Sequence, residues 1–181
     1  MSKNLLQIFN RYTPSDRSAE ILLSADAEGI RLRADKEQRL IEVEAPFPRV
    51  IPRRTLYEIE EEIRLAYELN VVRILPRYPS ELFGMDRIPD LLMETNRRGV
   101  VARGFFDHCS YDLSEGHLHI EIPFTEGGVN LIYNAKTPEV MERIVAEEYG
   151  VRIRVTIERM EGDAYLEYQE SGNIPDEFPM D

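Results

Sequence analysis

Two kinds of pattern run along this chain: stretches that alternate polar with apolar residues, and stretches that repeat apolar residues every three or four positions. After a short N-terminal helix candidate, "AEILLSADAEGIRLRADKEQRLIEVEAPF" reads as three strands, at about Ala19–Ser24, Gly29–Ala34 and Arg39–Ala45, separated by Gly, Asp and Lys turn chemistry. Within it, "RLIEVEA" alternates apolar and charged residues, as a strand with one buried face does. Pro46, Pro48 and Pro52 then punctuate a rigid crossing. Thr55 with Glu58 three residues on forms a capping box, and Leu56, Ile59, Ile63 and Ala66 follow at helical spacing. Asn70 suits a left-handed helix stop, and "NVVRILPRYP" returns as a strand. The first half therefore reads βββαβ, to about Pro79.

The second half opens with the helix-start signal Pro79-Ser80. Pro89 interrupts the helical pattern that follows, so two short helices or one kinked helix are expected, ending at Gly99. "VVARGFFDHCSYDL" and "HLHIEIPF" read as strands joined by a turn at "SEG", and "TEGGVNLIYNAK" as a helix with Gly127 and Gly128 near its start. Thr137-Pro138 is a cap followed by a first-turn proline. Val140, Met141, Ile144, Val145 and Tyr149 form a buried stripe, Gly150 ends the helix, and "VRIRVTIE" is a last alternating strand. This half reads αββααβ. The fold class is α+β in two small domains, 1–79 and 80–160, with an acidic linker or tail over 161–181.

Charge sharpens that division. The 181 residues carry a net charge of -12. Residues 1–80 hold 13 basic and 13 acidic side chains, whereas residues 81–181 hold 9 basic and 21 acidic ones. After Arg159 there are seven acids and no base, the composition of a solvated linker or interaction segment. An acidic balance opposes non-specific nucleic-acid binding, which is driven by phosphate neutralisation, so nucleic acid is expected to bind weakly at most. A hydrophobic content of 43% is enough for packed cores, and a single cysteine forms no internal disulfide, which fits a reducing, cytoplasmic setting. No secretory leader and no apolar run of about 18 residues is visible, so no membrane partner is expected.

Candidate chemistry concentrates in "HCSYDLSEGHLH", which holds every histidine and the only cysteine: His108, Cys109, His117 and His119. If the hairpin turns at Ser114–Gly116, Asp112 faces His117, Ser110 faces His119 and His108 faces Glu121, all on one polar face. Cys109 then points to the apolar side with Tyr111 and Leu113. His108, His117 and His119 remain as metal candidates, but zinc needs well-placed ligands held by a pocket and supporting partners. The alternative is a solvated sheet face, and the expectation is no metal and no cofactor. Phosphate-loop, dinucleotide and nucleophile-elbow motifs are missing, and three of the glutamates of "EIEEEIR" lie on the exposed side of a helix, so no catalytic residue is assigned.

Basic residues offer a second candidate. Arg49, Arg53 and Arg54 cluster before the first long helix, with Tyr57 in its first turns, and Arg73 and Arg77 sit at alternate positions of the next strand. They form a candidate partner-binding patch, the alternative being plain surface solubility. The order αββααβ matches the type II KH fold, whose GXXG loop brings bare backbone to nucleic-acid phosphates. Asn134, Ala135, Lys136 and Thr137 occupy that place here and contain no glycine.

The stretch "FPRVIPRRTLYEIEEEIRLAYELNVVRILPR", with Phe47, Ile51-Pro52, Tyr57 and Val71–Ile74, resembles the N-terminal region of the PolC-type DNA polymerase III α subunit of Gram-positive bacteria. "TPEVMERIVAEEYGVRIRVTIE" is similar to that family's late helix, aromatic-Gly stop and following strand, so the resemblance covers roughly residues 40–160. It implies two non-catalytic domains at the front of a longer polymerase. The first would resemble the C-terminal domain of the clamp-loader τ subunit, and the second a KH fold without its GXXG. The implied partners are replisome proteins such as clamp-loader τ, and the remaining polymerase domains. The alternatives are a stand-alone KH-like nucleic-acid-binding module and a metal-binding protein built on the histidine hairpin.

Overall fold

The computed structural model describes residues 1–99, 104–123 and 126–161. The chain divides into two units, 1–83 with Glu148–Gly150, and 84–147 with the chain from Val151. Both are mixed α+β, and each holds one three-stranded sheet. Among the described residues no helix is long and apolar enough to cross a membrane. The tail beyond Glu161 lies outside the described residues.

The first unit begins with a one-turn helix, α1 (Leu5–Ile8), closed by a capping box between Asn4 and Gln7. The segment Ala19–Ser24, expected as a strand, belongs instead to the helix α2 (Asp16–Ser24). A run such as "ILL" carries no period of its own. The Ser15 side chain decides the matter by accepting the Ser18 N–H at 3.2 Å, which puts Ser18 and Leu22 on one buried face. The sheet is therefore built from β1 (Arg31–Asp35), β2 (Leu40–Pro46) and β3 (Val71–Arg77), in that order. β1 and β2 are antiparallel, while β2 and β3 are parallel and bridged by α3 (Arg53–Ala66).

Both expected ends of α3 are displaced. Pro52 holds the N-cap position without a side-chain cap bond, and the Leu56 N–H already bonds its carbonyl at 3.2 Å, so Thr55 and Glu58 lie inside the helix and form no capping box. The stop falls at Glu68 (φ 52) rather than Asn70. Leu69 N–H donates to Arg64 O at 2.9 Å and Glu68 N–H to Leu65 O at 3.3 Å, the paired bonds of a Schellman motif. Asn70 instead donates its side-chain amide to Gln38 O at 3.0 Å. The early stop lets β3 start at Val71 with Val72 and Ile74 pointing inward. These two, with Val43 and Ala45 of β2, form a buried core with Leu56, Ile59 and Ile63 of α3. Alternate residues of the same strands, Glu42, Glu44, Arg73 and Arg77, lie on the opposite, open face.

In the second unit, Pro89 does not interrupt a helix. It sits in the first turn of α4 (Ile88–Arg98), where a missing N–H costs nothing, after a short 3-10 turn at Met85–Arg87. α4 ends at Gly99. Among the described residues, the strand expected over 100–113 is confined to β4 (Ser110–Ser114). Residues 104–108 form turns with Phe105 and Phe106 buried, and 100–103 lie outside the described residues. β5 (His117–Ile122), α5 (Glu126–Asn134), α6 (Thr137–Tyr149) and β6 (Arg154–Arg159) follow. The sheet runs β4-β5-β6, antiparallel then parallel. Leu118, Ile120 and Ile122 of β5 are fully buried. Val155 and Ile157 of β6, Ile132 of α5, and Met141, Ile144 and Val145 of α6 complete that core. Val140 is only half-buried, and Gly150 (φ 65) supplies the left-handed stop after α6.

Candidate functional site

The histidine hairpin closes more tightly than its sequence suggests. Glu115 (φ 50) and Gly116 (φ 75) are both left-handed, which makes the connection a two-residue turn of type I′ geometry rather than a three-residue turn at Ser114–Gly116. Ser114 pairs with His117, Asp112 with His119, and Ser110 with Glu121. The expected pairings are therefore out by two residues. Because side chains alternate with period two, that slip leaves every residue of the strands on its expected face.

It does remove His108, which precedes β4 in a left-handed conformation (φ 62) and has no place opposite Glu121. The trio becomes a pair. His117 Nε2 lies 2.7 Å and His119 Nδ1 3.1 Å from the same hydroxyl, Thr156 Oγ1. His119 Nε2 is 3.5 Å from Glu121 and 3.7 Å from Glu158. Among the described residues, no group of three histidine, cysteine or carboxylate side chains is arranged to hold a metal ion. Thr156 is the residue the sequence reading missed. The alternation of "RVTIE" was the signal available, since it puts Thr156 on the face shared with Arg154 and Glu158. Cys109 sits just before β4, half-buried, and burial pushes its thiol up to about 11, with Asp107 adding to the rise. A thiol kept protonated in this way is a poor nucleophile.

The candidate arginines separate by environment. Arg49 and Arg54 are exposed and Tyr57 is half-buried. Arg53 is 4% exposed. Its Nη2 lies 2.5 Å from both carboxylate oxygens of Glu148, which belongs to the same unit. Arg53 is thus withdrawn from any contact surface, because one guanidinium nitrogen is already committed to a buried carboxylate. Arg73 and Arg77 are exposed on the open face of the first sheet. Arg73 Nη1 is 3.9 Å from Glu42, and Arg77 Nη2 is 3.0 Å from Glu44.

Two further arginines on that face come from β1 and were not singled out from the sequence. Arg31 stands opposite Glu44 and Arg33 opposite Glu42 in the register. Arg33 Nη1 lies 3.4 Å from Glu42, so that glutamate is flanked by an arginine on each side. The "RLRAD" alternation was the available signal, but it becomes informative only once β1 is paired. Beside this face, at the carboxyl ends of β2 and β3, a groove of about 380 Å³ is lined by Pro46, Phe47, Pro48, Tyr78 and Pro79. Ser24, Asp26 and Arg77 supply its polar rim.

α5 and α6 are joined by Ala135 and Lys136 alone, with Lys136 exposed and left-handed (φ 56). Comparison with models of known protein families gives no match, and comparison with curated proteins gives none either.

Proposed function

We propose that the chain is a non-catalytic N-terminal portion of a PolC-type replicative DNA polymerase and works as a protein-interaction module in cytoplasmic DNA replication, docking the clamp loader. The observation that carries the reading is the open face of the first sheet. α3 packs against one side, and the other side presents arginines and glutamates in cross-strand rows to solvent. Such a surface recognises a partner by shape and charge. The residues behind the family resemblance also occupy structural positions: Phe47 and Ile51 are buried at the entry to α3, and Val72 and Ile74 are buried in β3.

On this reading the first unit resembles the C-terminal domain of clamp-loader τ, and the second a type II KH domain. The order α4-β4-β5-α5-α6-β6, with β5 parallel to β6, supports the KH comparison. The chain makes and breaks no covalent bond itself, and its other partners are the remaining domains of the polymerase. A reciprocal pull-down between this chain and clamp-loader τ tests the proposal. Retention in both directions is expected, and no retention in either, with both proteins folded, refutes it.

One observation favours a second reading. Lys136 is exposed in the α5–α6 turn, where a KH domain places its phosphate-binding loop. A nucleic-acid module requires single-strand binding that weakens steeply with salt, and a flat titration at low salt removes it.

A further inference from the structure

Among the described residues, the open face of the first sheet ends at a strand with no outer neighbour: β1 pairs with β2 alone, and its residues Arg31 to Ala34 are all exposed. The backbone groups along that edge are available to a fourth strand. Two independent features of β1 describe what such a strand must be. On the open face, Arg31 and Arg33 stand two residues apart, roughly 7 Å along the strand. Glu42 lies between Arg33 and Arg73, Glu44 is engaged by Arg77, and no carboxylate among the described residues lies within ion-pair distance of Arg31. Arginine is in excess on that side, and the Arg33 side chain is 74% exposed. On the helix-facing side, Leu32 is 51% exposed although its partner Val43 is fully buried, and Ala34 beside it is exposed as well. The apolar layer therefore runs out one strand short of full cover.

We infer that the β1 edge is a docking site for an extended acidic segment of a partner protein, one that alternates carboxylate with apolar side chains and adds as a fourth strand. This rests on the interaction-module reading and names the chemistry of the partner. Strand addition draws affinity from main-chain hydrogen bonds and specificity from alternate side chains. An added strand sets its carboxylates opposite Arg31 and Arg33, at cross-strand distances of about 5 Å, and lays its apolar residues over Leu32 and Ala34. The same face suits nucleic acid poorly. None of its strand positions is an aromatic on which a base could stack.

The test uses the full chain and short fluorescent peptides of alternating aspartate and valine, with a lysine-for-aspartate counterpart, read by anisotropy at low and physiological salt. The acidic peptide is expected to bind the native chain. Arg31→Glu, which breaks no ion pair within the described fold, should weaken binding by about tenfold. Arg31→Glu/Arg33→Glu should reverse the preference toward the lysine peptide, a gain that misfolding cannot produce. Arg143→Glu/Arg152→Glu, an equal change in net charge at exposed positions of the other unit, should leave binding unchanged.

No binding of the acidic peptide, binding indifferent to charge reversal, a single-stranded oligonucleotide displacing the peptide from these arginines, or sedimentation showing a second copy on the edge each overturns the inference. The same variants in the τ pull-down separate it from the broader reading. If τ is retained equally by the native chain and Arg31→Glu, the module stands and the edge falls. If the peptide binds as described and τ does not, the edge stands and the clamp-loader assignment falls.

Discussion

Gly29 closes the short turn before β1, and a methyl group built on it meets Pro46 Cγ at 2.4 Å and Cδ at 3.1 Å. Two effects compete in Gly29→Ala. Gly29 is not in the left-handed region, so alanine adopts its backbone conformation and restricts the unfolded chain, a gain of about 0.4–1 kcal/mol. Against this, the proline ring has little room to yield. Pro46 ends β2, its carbonyl accepts the Asp26 N–H at 2.9 Å, and the next residue's N–H bonds Arg77 O at 2.8 Å. Overpacking against such a site costs about 1–3 kcal/mol.

The clash should win by about 1–2 kcal/mol, which for a chain of this size lowers Tm by roughly 2–8 °C. The assay is thermal and urea unfolding of Gly29→Ala, Pro46→Ala and the double variant. Removing the ring should relieve the clash, so the cycle should give a favourable coupling of about 1 kcal/mol or more. A higher Tm for Gly29→Ala, or coupling indistinguishable from zero, refutes the reasoning.

Three other outcomes follow from named contacts. Arg53→Ala leaves Glu148 buried without its guanidinium and should cost about 3–5 kcal/mol in urea unfolding, whereas Arg53→Met/Glu148→Leu should recover most of that loss. Burial, then the hydrogen bond and negative charge of Glu62, hold the Tyr12 phenol neutral to about 12, while the unfolded phenol ionises near 10.0. The unfolded state thus releases its proton first, so this contribution to stability is intact below pH 10 and lost between 10 and 12. Tyr12→Phe should flatten that part of the stability profile. Cys109, raised to about 11, should react with a disulfide reagent at pH 8 roughly 100-fold more slowly than in the guanidinium-unfolded chain; equal rates contradict its burial.

Much of the local structure was legible because local chemistry decided it. Leu56, Ile59 and Ile63 of α3, Met141, Ile144 and Val145 of α6, the alternation of β2 and β3, and the stop at Gly150 follow from spacing and from glycine's access to positive φ, whereas Ala66, expected in the α3 stripe, is exposed and Glu60 is buried, accepting the Ile74 N–H at 2.8 Å. Errors arose where two local signals competed. "AEILLS" carries apolar residues in a row, which fit a strand or a helix equally. Ser15, outside the stretch, settled it by capping α2. Thr55 and Glu58 have the right spacing for a cap, but the helix had already begun after Pro52. Asn70 is the better left-handed residue by type, yet Glu68 adopts that conformation because the Schellman bonds to Arg64 and Leu65 close there.

The sequence by itself determined the α+β class, the polar and apolar faces of the strands, and the charge asymmetry between the halves, since each depends on residue type and short-range spacing alone. Tertiary structure decided what the charged residues do. Arg53 and Arg54 are adjacent and chemically identical, yet one is buried against Glu148 and the other meets solvent, because that outcome depends on a partner 95 positions away. His108 parts from His117 and His119 because β4 begins only at Ser110. Arg31 and Arg33 become one arginine-rich surface with Arg73 and Arg77 only when β2 lies between their strands. A period-two pattern records which side of its own strand a residue faces; the neighbour across the sheet is set by pairing register, which no single stretch of sequence contains.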